Sequence, residues 1–349
     1  YTDPAIGREM WVAVQRLGFA GGRVLEPGCG SGTFIGLAPD GVQAIGVELD
    51  PTTAAIAQAL YPDAEIRAES FAETRMPAGA IDLTIGNVPF ADITLHDPRH
   101  NSGRHPMHDH FIIKSLGLTR PGGMVAVLTS HYTMDKRTPA ARREMNELAD
   151  LVAAVRLPTG SHQRAAATQA VTDLLIFRRR DADVPPADRN WEVASPITLP
   201  GPSGAEEQVT VNHYWQQHPE HVLGDPVLAI GMHGQVTLEI HGQVDQLSHQ
   251  LHQVLADAAD AALAGGLAMT ERTAEQEVQA AAYAPAHGLI DGQIVAADDG
   301  TFSVVDEGQL VPITVPKTQV AEVSALLGLR DQARALIAAE AASRERDES

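Results

Sequence analysis

Apolar positions in the first half of the chain fall into short runs separated by stretches of helical spacing. Ile6, Met10, Val14 and Leu17 recur every three or four residues, and Gly18 marks the stop of that helix. Apolar runs at 24–26, 43–49, 64–68, 81–86, 124–129, 151–156 and 170–177 predict seven strands. Pro51 predicts the first residue of a helix running through Leu60, with Asp50 as its cap. Residues 111–118 and the charged, amphipathic 139–148 read as two further helices. Pro39 and Gly41 leave room for only a short helix at 33–38. Strands alternating with helices predict an α/β fold with a mostly parallel sheet. Its ligands bind beyond the carboxyl ends of the strands.

The pattern changes after residue 180. Residues 181–202 are rich in Pro and Asp and read as a linker or irregular arm. Residues 209–241 are β-prone with glycine-containing turns. Val244, Leu247, Leu251, Val254, Leu255 and Ala258 form a helical stripe closed by Gly265-Gly266. Residues 270–282 are poor in apolar side chains and read as mobile; 289–316 read as short strands with turns at Asp291-Gly292 and Asp299-Gly300. Residues 320–346 form a long, Ala-rich, charged helix. The expected division is a domain at 1–180, an α+β extension at 181–319 and a helix at 320–349.

The 349 residues are 44% hydrophobic, enough for one large domain with a smaller one. No run of about 18 apolar residues occurs, so no membrane span is expected. The chain opens at Tyr1 without Met or a signal-peptide pattern, which reads as a trimmed chain or a fragment. Cys29 is the single cysteine, which excludes an internal disulfide and fits a reducing cytoplasm. The net charge of −20 argues against a phosphate-rich partner, but the charge is uneven. Residues 1–90 carry 5 basic and 11 acidic side chains, 91–180 carry 13 and 8, and 181–349 carry 7 and 26. The basic excess therefore follows the fourth strand, as a face for a substrate or as a solvated surface.

Three stretches carry candidate chemistry. Val24-Leu25-Glu26-Pro27-Gly28-Cys29-Gly30-Ser31-Gly32 is a strand ending in a glycine-rich turn, where the backbone can lie against a ligand. Ile45-Gly46-Val47-Glu48-Leu49-Asp50 is a second strand ending in acid. Glu48 offers two acceptor oxygens, as two ribose hydroxyls require. A dinucleotide oxidoreductase also places an acid there, but needs a strict Gly-x-Gly-x-x-Gly leading into a long helix. The later strand ends in Asn87-Val88-Pro89-Phe90.

Glu26–Gly32 is similar to the first motif of class I methyltransferases, and Asn87-Val88-Pro89-Phe90 resembles the Asn-Pro-Pro-Tyr/Phe motif of N6-adenine and related amine methyltransferases. The resemblance implies a Rossmann-like, seven-stranded, mostly parallel sheet that binds S-adenosyl-L-methionine. An exocyclic amine conjugated to a ring is a poor nucleophile. The Asn87 side-chain oxygen and the Pro89 carbonyl region would accept its N–H groups and free its lone pair, while Phe90 stacks on the ring. Val88 departs from the motif's first proline. The family contacts adenine where Glu69-Ser70-Phe71 stands here; members often carry Asp-Phe, which becomes Ser70-Phe71. The implied cofactor set is Thr2, Glu26, Gly28, Gly30, Glu48, Leu49, Ser70, Phe71 and Asn87, with Thr2 in a leading Tyr-Thr-Asp-Pro motif. His162 takes the place of an aromatic residue in the hairpin after the sixth strand and joins Phe90 as substrate-binding.

The loop 91–106 and the residues after it carry His96, His100, His105, His108 and His110. Their spacing matches no standard zinc pattern, so no metal is expected. The loop reads instead as a cover over the acceptor base, with Asp109 capping the next helix. Further phrases, among them Val211-Asn212-His213-Tyr214 and His218-Pro219-Glu220, resemble the amino-terminal methylase part of bacterial, plasmid and phage methylase–helicase fusion proteins. That resemblance implies DNA as partner, a restriction-modification setting, a helicase-like module after Ser349 and a connector helix at 320–346. Methylation of an RNA or protein amide amine, and an inactive cofactor-binding module that docks a helicase, are the competing expectations.

Overall fold

The computed structural model describes residues 2–161, 171–231, 234, 236–282, 289, 292–297 and 299–347. Its central strands are β1 (Gly22–Pro27), β2 (Val42–Glu48), β3 (Glu65–Ala68), β4 (Ile81–Asn87), β5 (Thr119–Ser130), β6 (Ala149–Arg156) and β7 (Thr172–Arg179). They form one sheet in the order β3-β2-β1-β4-β5-β7-β6. Neighbours from β3 to β5 run parallel, and β7 runs antiparallel to both β5 and β6. This is the class I methyltransferase fold. The strand order reverses between β1 and β4, so the carboxyl ends of β1, β2 and β4 open onto one crevice.

Helix α1 (Pro4–Arg16) starts as its sequence requires: Pro4 is its first residue, and the Asp3 carboxylate accepts from the Ala5 N–H at 2.8 Å. Its buried face, with Met10 and Val14, joins the core of Leu83, Ala126, Leu174 and Ile176. Asp50 caps α2 (Pro51–Leu60) by accepting from the Thr53 N–H at 2.8 Å. The short helix expected at 33–38 is a single 3-10 turn, Ile35–Leu37, ended by Ala38 in extended conformation before Pro39. Helix α3 (Met107–Leu118) begins four residues earlier than its apolar pattern predicts. Asp109 therefore lies inside its first turn and does not cap it; the cap position is Pro106. Two helices follow β5: α4 (Tyr132–Asp135) and α5 (Ala140–Leu148).

Residues 181–202 are not an irregular arm. Trp191 is buried against Phe177, with ring centroids 5.8 Å apart. Strand β8 (Ala194–Pro200) then pairs antiparallel with β9 (Glu206–Asn212). The short α6 (His213–Gln217) precedes the hairpin of β10 (Asp225–Ile230) and β11 (Val236–His241). The predicted stripe forms α7 (Leu247–Ala264), whose Leu247, Leu251 and Leu255 enter the same core as α1. Residues 274–282 form α8 (Ala274–Ala282), where low apolar content had predicted a mobile stretch. Packing divides the chain into two compact units: Tyr1–Thr74 with Ala78–Glu277, and Arg75–Pro77 with Val278–Ser349. The second holds β12 (Ile294–Ala296), β13 (Phe302–Asp306) and β14 (Gln309–Ile313) in one antiparallel sheet, and α9 (Val320–Asp347). No helix among the described residues is long and apolar enough to cross a membrane.

Candidate functional site

The turn after β1 needs its glycines for two different reasons. Gly30 has φ +54°, and a Cβ there would have nothing within 4 Å, so the backbone faces open space. Gly32 has φ +81°, and a Cβ would lie 2.7 Å from the Tyr61 ring. The turn is braced from below by Glu26, which is buried and accepts from the N–H groups of Phe34 at 3.3 Å and Ile35 at 3.0 Å. Burial pushes the Glu26 carboxyl up to about 8, against those two hydrogen bonds. Burial, with the nearby Glu26 and Glu48 carboxylates, also raises the Cys29 thiol to about 12, which leaves it inert as a nucleophile. The Trp11 indole donates to the Phe34 carbonyl at 3.1 Å and ties α1 to the same turn.

Glu48 ends β2 with both carboxylate oxygens set by backbone: Oε2 accepts from Gly30 N–H and Oε1 from Asp50 N–H, each at 2.9 Å. Each oxygen keeps a lone pair for a further donor. Glu48, Leu49, Glu69, Ser70, Phe71 and Asn87 border a cleft of about 610 Å³. Leu49 is 71% exposed there, an apolar surface awaiting a cover. Phe71 is buried, packs on Phe111 at 4.8 Å between centroids, and still lines the cleft, so it is both core and wall. Glu69 and Ser70 both line the cleft; Glu69 Oε1 is buried without a hydrogen-bond partner, with Arg67 Nη1 3.9 Å away. A smaller chamber of about 230 Å³ adjoins, lined by Thr2, Glu26, Gly28, Gly30, Thr53 and Asn87. An elongated ligand with a polar amino-acid end, a hydroxylated ring and a flat apolar ring matches this donor and acceptor set.

Asn87 stands between the two cavities. Its Nδ2 donates to the Thr2 hydroxyl at 3.1 Å. That leaves Oδ1 as the accepting atom, and no described residue donates to it. Val88 continues the sheet: its N–H donates to the Leu128 carbonyl at 3.0 Å, and its side chain is 1% exposed. The departure from the first proline of the motif thus has a structural use. Phe90 borders the 610 Å³ cleft and a further cleft of about 760 Å³. Of the predicted residues, the structure brings together Thr2, Glu26, Gly28, Gly30, Glu48, Leu49, Ser70, Phe71, Asn87, Pro89 and Phe90 around adjoining cavities. His162 and Tyr1 lie outside the described residues.

The basic block of 91–180 does not form one face. Lys114, Arg120, Arg142, Arg156 and Arg180 are buried. Arg156 contacts Asp173 and Asp135, each at 2.8 Å, with the Trp215 ring 4.4 Å from its guanidinium carbon. Arg120 bonds Asp82 at 2.7 Å. Burial raises the Asp82 carboxyl, but hydrogen bonds from Arg272 and Arg120 outweigh it and hold the group below its ordinary range. These cations serve packing; among the described residues, Lys136 and Arg137 line a cleft. Two of these histidines anchor their segment: His105 contacts Glu144 at 2.8 Å and His110 contacts Asp97 at 3.1 Å. Among the described residues, the metal-capable group is instead His218, Glu220 and His221, whose ligand atoms lie within 4.8 Å. There the Tyr214 hydroxyl bonds His221 at 2.8 Å, and His218 bonds Glu220 at 3.3 Å.

No family profile matches the chain. Defence against restriction protein B of Escherichia phage P1 is 26% identical over 189 residues, which are 53% of this chain and 8% of that protein. A Vibrio vulnificus protein assigned as the modification subunit of a type I restriction enzyme is similar in structure at TM-score 0.48 and 16% identity. The match covers 92% of this chain and 60% of that one. A Listeria monocytogenes protein assigned to the class I S-adenosylmethionine-dependent methyltransferases gives TM-score 0.43 and 17% identity, over 54% of this chain and 63% of that one. The chain thus spans less than two thirds of each of these proteins.

Proposed function

We propose that this chain binds S-adenosyl-L-methionine and transfers its methyl group to the exocyclic N6 amine of adenine in DNA. The observation that carries the reading is Asn87: its amide nitrogen is committed to Thr2, its carbonyl oxygen is open, and it borders both cofactor-sized cavities at the end of β4. When bound, the cofactor supplies an electrophilic methyl on a sulfonium. Glu48 would hold its ribose hydroxyls, Glu69 its adenine amino group, and Leu49 and Phe71 the faces of its adenine ring. Thr2, Glu26 and the turn at Gly28 and Gly30 would surround its amino-acid end.

On the acceptor side, Asn87 Oδ1 and the Pro89 carbonyl accept the two N–H bonds of the amine. That withdraws the nitrogen lone pair from conjugation, so that it can form the new N–C bond as the methyl–sulfur bond breaks and a neutral thioether leaves. Phe90 holds the ring by stacking. The methylated amine is acidic and loses its proton to water, so no strong base is required. The division by role belongs to the same proposal: 1–180 carries methyl transfer, 181–319 target recognition or docking, and 320–349 a connector towards a helicase-like module. The 26% identity to the phage P1 protein supports a setting in defence against restriction.

The test is a panel with isotopically labelled cofactor, offering DNA, RNA and protein acceptors, read by mass spectrometry. N6-methyladenine in DNA, lost in Asn87→Ala, is the expected result. Label confined to RNA or protein moves the proposal to those amines. Cofactor binding by calorimetry with no turnover on any acceptor replaces it with an inactive docking module.

A further inference from the structure

The cleft on the far side of Phe90 is the largest of the three described here, at about 760 Å³. One wall is the turn after β5, another is α3, and the third comes from β9 and β11 of the extension. Tyr132 stands in it 56% exposed, tilted against His131 with ring centroids 4.1 Å apart and planes at 35°. The exposed face of Tyr132 has no need of solvent and offers a flat partner to another ring. Below it, His108 is 5% exposed and neither ring nitrogen has a hydrogen-bond partner; His131 is 9% exposed and its Nδ1 has none. Burial and the charge of Arg156 hold the His131 imidazole down at about 4, so near neutral pH it carries one donor and one acceptor. Asp109 Oδ1 lies 3.8 Å from His108 Nε2, too far for a hydrogen bond, so buried ring nitrogens of both imidazoles are left for a polar partner at the cleft.

The cleft also has a charged rim. Lys136 and Arg137 are exposed at it, with one exposed carboxylate, Asp92, on the same rim. Their loop is fixed from beneath by the buried Arg142, whose Nη1 donates to the Thr133 carbonyl at 3.0 Å and Nη2 to the Lys136 carbonyl at 2.7 Å. A flat aromatic platform, a polar floor with both donors and acceptors, and two rim cations match a nucleotide with its phosphates. Two cations in a chain of net charge −20 do not match a duplex, whose affinity grows from many phosphate contacts. Unpaired strands bind by stacking with few such contacts.

We infer that this cleft binds an unpaired nucleic-acid segment, with a base on Tyr132, its polar edge towards His108 and His131, and phosphates at Lys136 and Arg137. The chain therefore grips a single strand in preference to a duplex. The inference rests on the proposed nucleic-acid acceptor and adds strand preference and the residues that set it.

The experiment is fluorescence anisotropy with a labelled 12-nucleotide DNA strand and the same sequence as duplex, on the full chain with S-adenosylhomocysteine present. The single strand binds at least tenfold tighter, with a log–log salt slope of about −1.4, at about 0.7 per phosphate contact for two contacts. Tyr132→Ala weakens single-strand binding about tenfold or more, and Tyr132→Phe restores it. Lys136→Ala combined with Arg137→Ala brings the slope towards zero. Calorimetric cofactor affinity serves as the folding control in each variant. Equal or tighter duplex binding, or single-strand affinity indifferent to Tyr132→Ala and to the double variant, overturns the inference. If the wild type still methylates DNA in that case, the proposed function stands without it. Methylation of protein alone removes both.

Discussion

Val88 occupies the position where the Asn-Pro-Pro-Phe pattern has a proline, and its N–H is spent on the Leu128 carbonyl. A proline has no N–H to give. Val88→Pro should therefore leave a buried carbonyl without its partner and lower the unfolding free energy by about 1–3 kcal/mol in urea titration. Unchanged stability would show that the β4–β5 pairing does not need residue 88. Glu26 makes a second prediction at this scale. Its folded carboxyl sits at about 8, far above an unfolded glutamate, so the folded chain holds an extra proton between about pH 4.5 and 8. Its contribution to stability must fall as pH rises across that window. Glu26→Gln removes the titration. The stability of the variant relative to wild type, from urea curves at pH 5 and pH 8, should shift in favour of glutamine at the higher pH. A pH-independent difference would mean that Glu26 ionises normally.

At the scale of elements, the loop between β4 and α3 is held by a buried polar cluster. Lys114 of α3 donates to Asp97 of the loop at 2.9 Å and to the Ala72 carbonyl at 3.1 Å, and lies 5.1 Å from the Phe71 ring centre. Loop, helix and the Phe71 wall of the 610 Å³ cleft are thereby joined through two fully buried charges. Removing one partner strands the other. Lys114→Met should cost about 3–5 kcal/mol, and adding Asp97→Asn should recover part of it in a double-mutant cycle. Strictly additive losses would mean that the two are not coupled. Burial raises the Asp97 carboxyl, but hydrogen bonds from His110 and Lys114 outweigh it and hold the group well below the ordinary range. Its stabilisation is thus complete above about pH 4 and drains away as pH falls towards the depressed value. The double variant Asp97→Asn/Lys114→Met lacks this titration, so its stability relative to wild type should rise as pH falls below about 4 in urea curves; a pH-independent difference would mean that Asp97 is not held low.

At the scale of the molecule, the extension and the sheet share one core. Leu247, Leu251 and Leu255 pack with α1 and with Leu174 and Ile176 of β7. Leu251, fully buried, should cost about 2–5 kcal/mol as Leu251→Ala. Residues 1–180 made alone should expose that apolar face, bind a hydrophobic dye and fail to melt cooperatively, whereas 1–277 should melt as one transition in calorimetry. A cooperative melt of 1–180 would show that the extension only decorates the sheet. The sequence placed a boundary at 180 because the strand–helix alternation ends there. That is a change of local pattern and carries no information about which surfaces α7 covers.

Local chemistry by itself determined a great deal. Seven apolar runs became seven strands, Pro51 and Asp50 opened their helix, and the turns at Gly28, Glu48 and Asn87 fell at strand ends where the sheet order reverses. Such features depend on neighbours in sequence, so spacing and residue type reveal them. Where the fold brought distant segments together, the sequence was silent or misleading. Basic residues that could have faced a substrate are buried in ion pairs, because Asp82 and Asp173 sit on the strands beside them and Asp135 on α4 above Arg156. Glu69 borders the cleft together with Ser70, because the turn after β3 is tied to the end of β2 by the Glu69 N–H bond to the Glu48 carbonyl. The Tyr132 cleft needs β5, α3 and the extension at once. Only packing decides that, because burial is a property of what lies opposite a residue and not of the residue itself.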